Sequence, residues 1–377
     1  MNAPLLSRFV CGGLLAALVC SCATLKTLTA TPPKHKKIIE FGWDEPSTAF
    51  MREHIAEMER APFDGVVFDA EARKPNGTKI NFTWGGWGTN LIDEADMQRA
   101  IDDVRATKFQ RFTDNFFRFN TTPGKLDWFD DHSAVIQNCR VAAWFARQAG
   151  IKGLLFDIEQ YEGPLFDYRK QRDANTKSWD IYAKKARDRG RQVMNAFQDG
   201  YPGLTIFLTF GYSLPWTESE QGKKPLAECH YGLLAPFLDG MLDAASGKTI
   251  LVDGNENAYR FRDTNSFARS YRMMKQELLP IVQTDKAAYA RHFSLGFGLW
   301  IDCDWRRVGW DTNDFSKNFY TPELLENSVR TGLQTADEYL WIYSEQPRWW
   351  SKEGKPVKLP PAYENAVRRA RKGVTKD

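Results

Sequence analysis

The sequence predicts a single (β/α)₈ barrel with long loops after its strands. From residue 37 onward, short apolar runs alternate with longer amphipathic segments, and eight such runs can be counted. The 377 residues suit one domain, because barrels commonly use roughly 250 to 400 residues. The alternative is a doubly wound open sheet, but no Gly-x-Gly-x-x-Gly phosphate loop follows any run. We therefore expect residues 37–377 to form one barrel.

The strand candidates are short runs rich in branched and aromatic residues. They comprise residues 37–43, 65–69, 112–119, 153–157, 204–210, 249–253, 294–302 and 339–343. Long segments follow the third and fifth strands, at residues 120–131 and 212–230. In a barrel, loops at this end of the strands surround the active-site mouth.

The helix candidates carry apolar residues at spacings of three and four. They comprise residues 47–60, 94–106, 132–148, 176–198, 232–245, 266–279 and 322–336. Gly150 and Gly200 follow two of these segments, where helices often end in glycine. Thr321 and Pro322 predict an N-cap and a first helical residue.

The first 21 residues have the composition of a targeting segment. Arg8 precedes an apolar run too short to span a bilayer, and the run ends in Val19-Cys20-Ser21-Cys22. This end resembles the lipobox of bacterial lipoprotein signal peptides, which implies an acylated cysteine. Cys22 is favoured because a small residue precedes it, while Cys20 or an ordinary signal peptide are the alternatives. Residues 22–36 would then tether the barrel to the membrane of the bacterial cell envelope.

Composition excludes several other classes of protein. The formal net charge is +3, and basic residues are interspersed with acids except at residues 368–372, so no nucleic-acid partner is expected. That basic segment fits a solvated final helix better than a contact with anionic lipid. The three cysteines of the body and the five histidines show no metal-ligand spacing, which predicts neither metal nor cofactor. The oligomeric state is left open.

Acidic residues are predicted to converge on one rim of the barrel. Alternate residues of a barrel strand face the lumen, and this alternation directs Asp157 and Glu159 inward at the end of the fourth strand. Asp302 and Glu345 end the seventh and eighth strands in the same way, Asp69 ends the second, and Glu256 follows the sixth. Several acids at one rim are more readily explained by chemistry than by stability.

Aromatic residues accompany these acids and predict a carbohydrate substrate. The chain contains 13 Trp, and aromatic planes suit the C–H faces of sugar rings, while polar groups bind the hydroxyls. The Trp84-Gly-Gly-Trp87 segment predicts a surface platform. With the acids Asp69 and Glu256, the substrate-binding candidates are Trp43, Asn115, Tyr161, Tyr212, Trp300, Trp341 and Tyr343.

Glycoside hydrolysis usually requires two carboxyl groups, one of which donates a proton to the leaving oxygen. Residues 153–161, Gly-Leu-Leu-Phe-Asp-Ile-Glu-Gln-Tyr, resemble the fourth-strand Asp-x-Glu signature of chitinase-like and lysozyme-like barrel glycosidases. The resemblance implies that Glu159 is the proton donor and that Asp157 supports it. Residues 152–155 lack the Asp-Gly start of the chitinase motif, and the seventh strand ends in Asp302-Cys-Asp rather than Glu.

The partner of Glu159 is left open by the sequence. Glu345 is the first choice, Asp302 the second and Glu256 the third. A non-catalytic carbohydrate-binding surface lipoprotein on a barrel scaffold is the alternative function. It predicts binding without turnover, and indifference to the loss of Glu159.

Overall fold

The computed structural model describes residues 35–43, 45–304, 309–350 and 357–374. These residues belong to one compact unit, Pro33–Asp377. The predicted leader, Cys22 and most of the predicted tether lie outside the described residues. Within the described ranges, no helix is both long and apolar enough to cross a membrane.

Eight parallel strands form the barrel, and each pairs with its neighbours in chain order. The eighth strand returns to the first, with Lys37 opposite Tyr339. The strands are β1 Lys37–Gly42, β2 Gly65–Phe68, β3 Phe116–Asn120, β4 Gly153–Asp157, β5 Thr205–Leu208, β6 Ile250–Asp253, β7 in two halves at Phe293–Leu295 and Phe297–Trp300, and β8 Tyr339–Ser344. The predicted fold class is confirmed.

Strand β7, predicted as one run over residues 294–302, is interrupted at Gly296. Its first half pairs with β6, and its second half pairs with β8. The Gly296 N–H donates to the Asp253 carbonyl at 2.8 Å. A Cβ at this position would lie 3.0 Å from the Tyr339 carbonyl oxygen, so glycine lets the strand change partners without crowding the backbone.

A helix follows each strand, as predicted. The longer helices are α1 Thr48–Met58, α2 Gln98–Ala106, α3 Ser133–Ala149, α4 Trp179–Gly200, α5 Leu234–Ala244, α6 Thr264–Arg272, α7 Pro322–Thr335 and α8 Pro361–Lys372, and short helices lie at Phe82–Gly85, Ser213–Glu218 and Lys286–His292. Thr321 caps α7 through its hydroxyl, which accepts from the Leu324 N–H at 3.3 Å. Gly150 ends α3 with φ of 73°, a conformation that glycine adopts readily.

Two local predictions are wrong. Gly200 is the last residue of α4 rather than the residue after it, and a Cβ there would come within 2.3 Å of the Arg140 carbonyl oxygen in α3. This glycine therefore serves close helix packing. Residues 112–115, predicted as part of the third strand, form a loop whose Thr113 and Asp114 N–H groups both donate to the Asp64 carbonyl.

The inward face of the strands forms an apolar lumen, as the alternation predicted. Its members are Ile39, Phe41, Val67, Phe116, Leu155, Phe207, Val252, Tyr339 and Trp341. The outward faces pack against the helices in a larger apolar layer. At the far end of the chain, the arginines of α8 pair with acids: Arg368 with Glu364, Arg369 with Glu326, and Arg371 with Asp64.

Candidate active site

Two adjoining cavities open at the carboxyl ends of the strands. The first, of about 630 Å³, is called the larger lobe, and the second, of about 340 Å³, the smaller lobe. Glu159 and Glu256 line both lobes and therefore stand at their junction. Glu345, Asp69 and Glu45 add further carboxyl groups to the larger lobe. Convergence of acids on this rim agrees with the sequence prediction.

Asp157, the last residue of β4, is fully buried beside the junction. Its Oδ2 accepts from Arg118 Nη2 at 2.7 Å and from the Tyr161 hydroxyl at 2.9 Å. Its Oδ1 accepts from the Glu159 N–H at 3.1 Å and from the Thr209 hydroxyl at 3.5 Å. Asp157 lines neither lobe, so it acts as a positioning residue for the Glu159 backbone.

Arg118 joins opposite sides of the barrel mouth. Besides Asp157, its guanidinium pairs with Glu45 at 2.9 Å, and it lies 4.9 Å from the Phe41 ring centroid and 5.1 Å from that of Trp84. Burial by itself lowers the pKa of an arginine, but the charges of Glu45 and Asp157 outweigh it and raise the pKa of Arg118. The guanidinium is thus a permanent cation among these acids.

Glu159 follows β4 by two residues on a segment with a fixed backbone. The next residue, Gln160, donates its N–H to the Tyr231 hydroxyl at 2.9 Å, and its side-chain oxygen accepts from the Phe166 N–H at 2.7 Å. Burial, followed by the charge of Asp157, raises the pKa of Glu159, and Tyr161 and Arg118 offset part of this shift. A carboxyl with a raised pKa is suited to acid or base catalysis near neutral pH.

Glu256 opens a short 3₁₀ turn after β6, and Asn255 before it has φ of 46°. The Tyr259 hydroxyl donates to Glu256 Oε1 at 2.9 Å and fixes the carboxyl. Burial raises the pKa of Glu256 well above its usual range, and the charges of Glu159 and Asp157 raise it further. Glu256 and Glu159 are therefore an electrostatically coupled pair.

Glu345 lines the larger lobe but not the smaller lobe. The Tyr343 hydroxyl donates to Glu345 Oε1 at 3.3 Å and accepts from Trp43 Nε1 at 2.7 Å. Burial, with the charge of Asp302, raises the pKa of Glu345. The Glu345 side chain faces the cavity, as the sequence predicted. The charge of Glu159 contributes to the raised pKa of Glu256, whereas the charge of Asp302 contributes to that of Glu345.

Asp302, predicted as a catalytic candidate, has a different position. It lines neither lobe. Its two oxygens accept from the N–H groups of Glu345 at 3.0 Å and Gln346 at 2.8 Å, and Oδ1 also accepts from Trp300 Nε1 at 3.1 Å. These bonds orient the carboxylate toward backbone, so Asp302 holds the segment that carries Glu345.

Three exposed aromatic side chains surround the larger lobe. The exposed fractions are 66% for Trp43, 41% for Trp84 and 43% for Tyr161. The rings of Trp84 and Tyr161 meet edge to face at 5.0 Å. Trp87, predicted to share a surface platform with Trp84, is instead fully buried, and its ring lies 5.8 Å from that of Phe156.

Three predicted substrate-binding residues lie outside both lobes. Asn115 precedes β3 at the amino end of the barrel, where its side chain bonds the backbone of Val66 and Phe112. Tyr212 is fully buried and donates to Asp239 at 2.8 Å. Trp341 lies in the lumen, where its indole N–H donates to a backbone carbonyl. Asp69, Tyr343 and Trp43 line the larger lobe, and Trp300 lines the smaller lobe.

Arg118 and Glu45 were missed by the sequence reasoning. The alternation of Phe-Phe-Arg-Phe-Asn in β3 directs Arg118 inward, so a signal for it existed. Glu45 lies in a loop without periodicity, and no comparable signal marks it. Among the described residues, no group of three or more His, Cys, Asp or Glu side chains is arranged to hold a metal ion.

Comparisons with known proteins add little to this geometry. No family model matches the chain, and no curated protein matches it. The chain is similar to a number of solved barrel structures. They include a chitinase catalytic domain from Pyrococcus furiosus (12% identity, 92% of this chain and 98% of that chain, TM-score 0.48), a family 10 endo-β-1,4-xylanase described as psychrophilic (11%, 88% and 96%, 0.47), and a broad-specificity endoglucanase from Bacteroides salanitronis (12%, 88% and 86%, 0.46). Similarities of this size carry no argument about chemistry, so the function is argued from the site.

Proposed function

We propose that the protein is a glycoside hydrolase whose two carboxyl groups are Glu159 and Glu256. The observation that carries the proposal is that both residues line both lobes. A substrate that occupies the two lobes therefore places the bond between its halves beside two carboxyl groups, the arrangement that glycosidic cleavage requires. Glu345, predicted from sequence as the first partner of Glu159, becomes a group that binds sugar hydroxyls in the larger lobe.

The two carboxyl groups divide the roles through their protonation. Burial and the charge of Glu159 raise the pKa of Glu256 well above its usual range, and we therefore assign the proton to Glu256 and the ionised carboxylate to Glu159. Glu256 then gives its proton to the glycosidic oxygen as the C–O bond breaks. Glu159 either attacks the sugar carbon or takes a proton from the attacking water. This assignment reverses the donor role that the Asp-x-Glu motif implies for Glu159.

The neighbouring groups support this division. Asp157 accepts the Glu159 N–H and so fixes the position of its backbone. Arg118 places a cation among Asp157, Glu45 and the pair, which limits the repulsion between acids that are crowded together. The carbohydrate character of the substrate is supported by the exposed aromatic rims of the larger lobe.

The first experiment is a turnover assay on a panel of polysaccharides and aryl glycosides with wild type, Glu159→Gln and Glu256→Gln. Each substitution should lower kcat/KM on the order of 10² to 10⁴-fold, the usual contribution of a positioned acid or base. Glu53→Gln, on the exposed surface of α1, is the matched control and should have no effect. Binding of a glycan without turnover by any of these proteins would favour the binding-protein alternative. Full activity in both Gln variants would overturn the proposal.

Substrates that differ in their leaving group can distinguish the proton donor from the other catalytic carboxyl group. A variant without its proton donor should still cleave a dinitrophenyl glycoside, whose leaving group needs no proton, and should fail on alkyl glycosides. We expect this behaviour from Glu256→Gln. Glu159→Gln should fail on both substrates, and azide should restore its turnover if Glu159 is a nucleophile. The reverse pattern would return the donor role to Glu159.

We also propose that the chain is attached to the bacterial envelope through acylated Cys22, on the evidence of the sequence alone. The full chain, expressed in a bacterium, should be found in the membrane fraction, and Cys22→Ser should release it. Cys20→Ser is the matched control and should leave the chain attached. Release by Cys20→Ser instead would make Cys20 the acylated residue. A wild-type chain found in the soluble fraction would overturn the proposal of a lipid anchor.

A further inference from the structure

The smaller lobe has walls of a different chemistry from those of the larger lobe. Five of its lining side chains are apolar or aromatic, and Asn257 and Arg260 are its polar members beside the two junction glutamates. The five are Phe210, Leu214, Tyr231, Tyr259 and Trp300. They come from the segments that follow β5 and β6 and from the last residue of β7. Edge-to-face contacts fix the rings, at 5.0 Å between Phe210 and Tyr231 and at 5.9 Å between Tyr259 and Trp300.

The polar ends of the three amphipathic aromatics are engaged with protein groups. Tyr259 donates its hydroxyl to Glu256 at 2.9 Å, and Trp300 donates its indole N–H to Asp302 at 3.1 Å. The Tyr231 hydroxyl accepts the Gln160 N–H at 2.9 Å. With these groups engaged, the five side chains offer mainly carbon surface to the smaller lobe, and Asn257 and Arg260 form its polar part.

A sugar unit is better accommodated in the larger lobe. A buried sugar hydroxyl that finds no hydrogen-bond partner is destabilised, so a sugar needs polar walls. The larger lobe provides such walls through Glu345, Thr209 and Arg118, together with aromatic planes for the C–H faces. The two lobes therefore differ in the kind of chemical group that each can bind.

Resting on the proposed function, we propose that the smaller lobe binds an apolar aglycone, so that the protein cleaves glycosides of apolar alcohols or phenols. The sugar occupies the larger lobe, and the bond from its anomeric carbon to the aglycone oxygen lies at the junction. That bond breaks, the aglycone leaves as the neutral alcohol with the proton of Glu256, and water supplies hydroxide to the anomeric carbon and a proton to the enzyme. A volume of about 340 Å³ is sufficient for a group of drug-fragment size.

Binding of sulfur-linked analogues tests the lobe independently of turnover. Methyl, butyl and hexyl 1-thioglycosides of glucose, galactose and xylose are titrated into the full-length wild-type protein by calorimetry. Each methylene that enters the lobe should tighten binding about three- to fourfold, so the Kd should fall at least ~10-fold from methyl to butyl in a sugar series that binds. An equal Kd for the three alkyl groups in every series, or no binding in any, overturns the proposal. Because these compounds are not hydrolysed, failure of the hydrolase proposal is a separate result.

A substitution in the lobe gives the second test. The ratio of kcat/KM for butyl over methyl O-glycosides is measured for wild type, Leu214→Asn and Leu91→Asn. Leu214→Asn should lower the ratio at least ~3-fold because it places an amide in the apolar wall. Leu91→Asn changes a leucine that is 50% exposed and lines neither lobe, and it should leave the ratio unchanged. An unchanged ratio in folded Leu214→Asn overturns the proposal, and if this variant does not fold, the titrations of wild type decide.

Discussion

Both ends of the barrel contain buried acidic side chains, but the pKa of Asp114 at the amino end is lowered and the pKa values of three glutamates at the carboxyl end are raised. At the amino end, Asp114 lies 3.1 Å from the Lys37 ammonium and 3.8 Å from that of Lys152, and it accepts from the Tyr339 hydroxyl at 2.9 Å. Burial raises the pKa of Asp114, but hydrogen bonds from Thr113 and Lys37 outweigh it, and the pKa is lowered. At the carboxyl end, the pKa of each of Glu159, Glu256 and Glu345 is raised.

The difference shows how a stabilising acid can be told from a reactive one. At the amino end, cations surround the acid and favour its ionised form, so its charge contributes to stability. At the carboxyl end, Arg118 is shared by Glu45, Asp157 and the two junction glutamates, and burial leaves the glutamates with an unfavourable charge. Such unfavourable charge is typical of active sites, where it adjusts a group for proton transfer. Glu338 lies beside Asp114 at the amino end, but burial raises its pKa as it does for the glutamates at the carboxyl end.

The largest expected effect is that of Glu256→Gln, which should lower activity on the order of 10² to 10⁴-fold and also stabilise the fold above neutral pH. A raised folded-state pKa means that wild type loses stability as pH rises from the unfolded pKa of about 4.3 toward the folded pKa. The glutamine carries no such penalty. Denaturant unfolding at pH 5 and pH 8 measures the free energy of unfolding of the variant and of wild type. A variant that is less stable than wild type at pH 8 would show that the charge of Glu256 is not unfavourable in the folded state.

Arg118→Met should cause the largest loss of stability, about 3–5 kcal/mol, because it leaves Asp157 buried without its cation. Arg118 also lowers the pKa of Glu159 and of Glu256, so its removal should move the acidic limb of the pH–rate profile to higher pH. Arg118→Lys keeps the charge and is the matched control. A shift of the limb to lower pH would show that another group sets it.

Asp114→Asn should destabilise the fold by about 1–3 kcal/mol at neutral pH and leave kcat/KM unchanged. The lowered folded-state pKa means that the contribution of Asp114 is present above its unfolded pKa of about 3.9 and is lost as pH falls through the folded pKa. The unfolding free energies of variant and wild type should therefore converge at acidic pH. Lost activity in a folded variant would contradict the division between the two ends.

The smallest effect is expected from Asp302→Asn. The amide keeps one acceptor for the N–H groups of Glu345 and Gln346 and loses the other, so stability should fall by about 1 kcal/mol. Because Asp302 lines neither lobe, kcat/KM should fall less than ~10-fold, mainly through KM. A loss as large as that of Glu256→Gln would make Asp302 the catalytic partner of Glu159, which is the second choice from the sequence.

The elements of the fold could be predicted because periodicity is a local property. Strand-by-strand alternation also directed Glu159 and Glu345 to the correct rim. The choice between Glu256 and Glu345 as partner of Glu159 could not be made from the sequence, because it depends on how the turn after β6 folds over the mouth. Trp87 and Tyr212 were misplaced because sequence gives no measure of how deeply the loops pack.

The contacts of Arg118 also could not be predicted from the sequence. The alternation in β3 points it inward, yet nothing local says that it reaches Glu45 near β1 and Asp157 in β4 at once. Ion pairs of this kind join residues separated by 73 and 39 positions. Their existence follows from the curvature of the barrel, which becomes known only with the structure.

The interruption of β7 at Gly296 has a consequence for the evolution of the binding site. Beyond that residue, β7 is hydrogen-bonded to β8, while β6 has ended at Asp253. In place of β6, the turn Glu256–Arg260 packs against the second half of β7, where the Tyr259 and Trp300 rings lie 5.9 Å apart. A shift of this turn relative to β7 would widen or narrow the smaller lobe without replacing any side chain in it. The path of the backbone therefore sets the size of the group that the smaller lobe admits, and this size can change while Glu159 and Glu256 keep their positions.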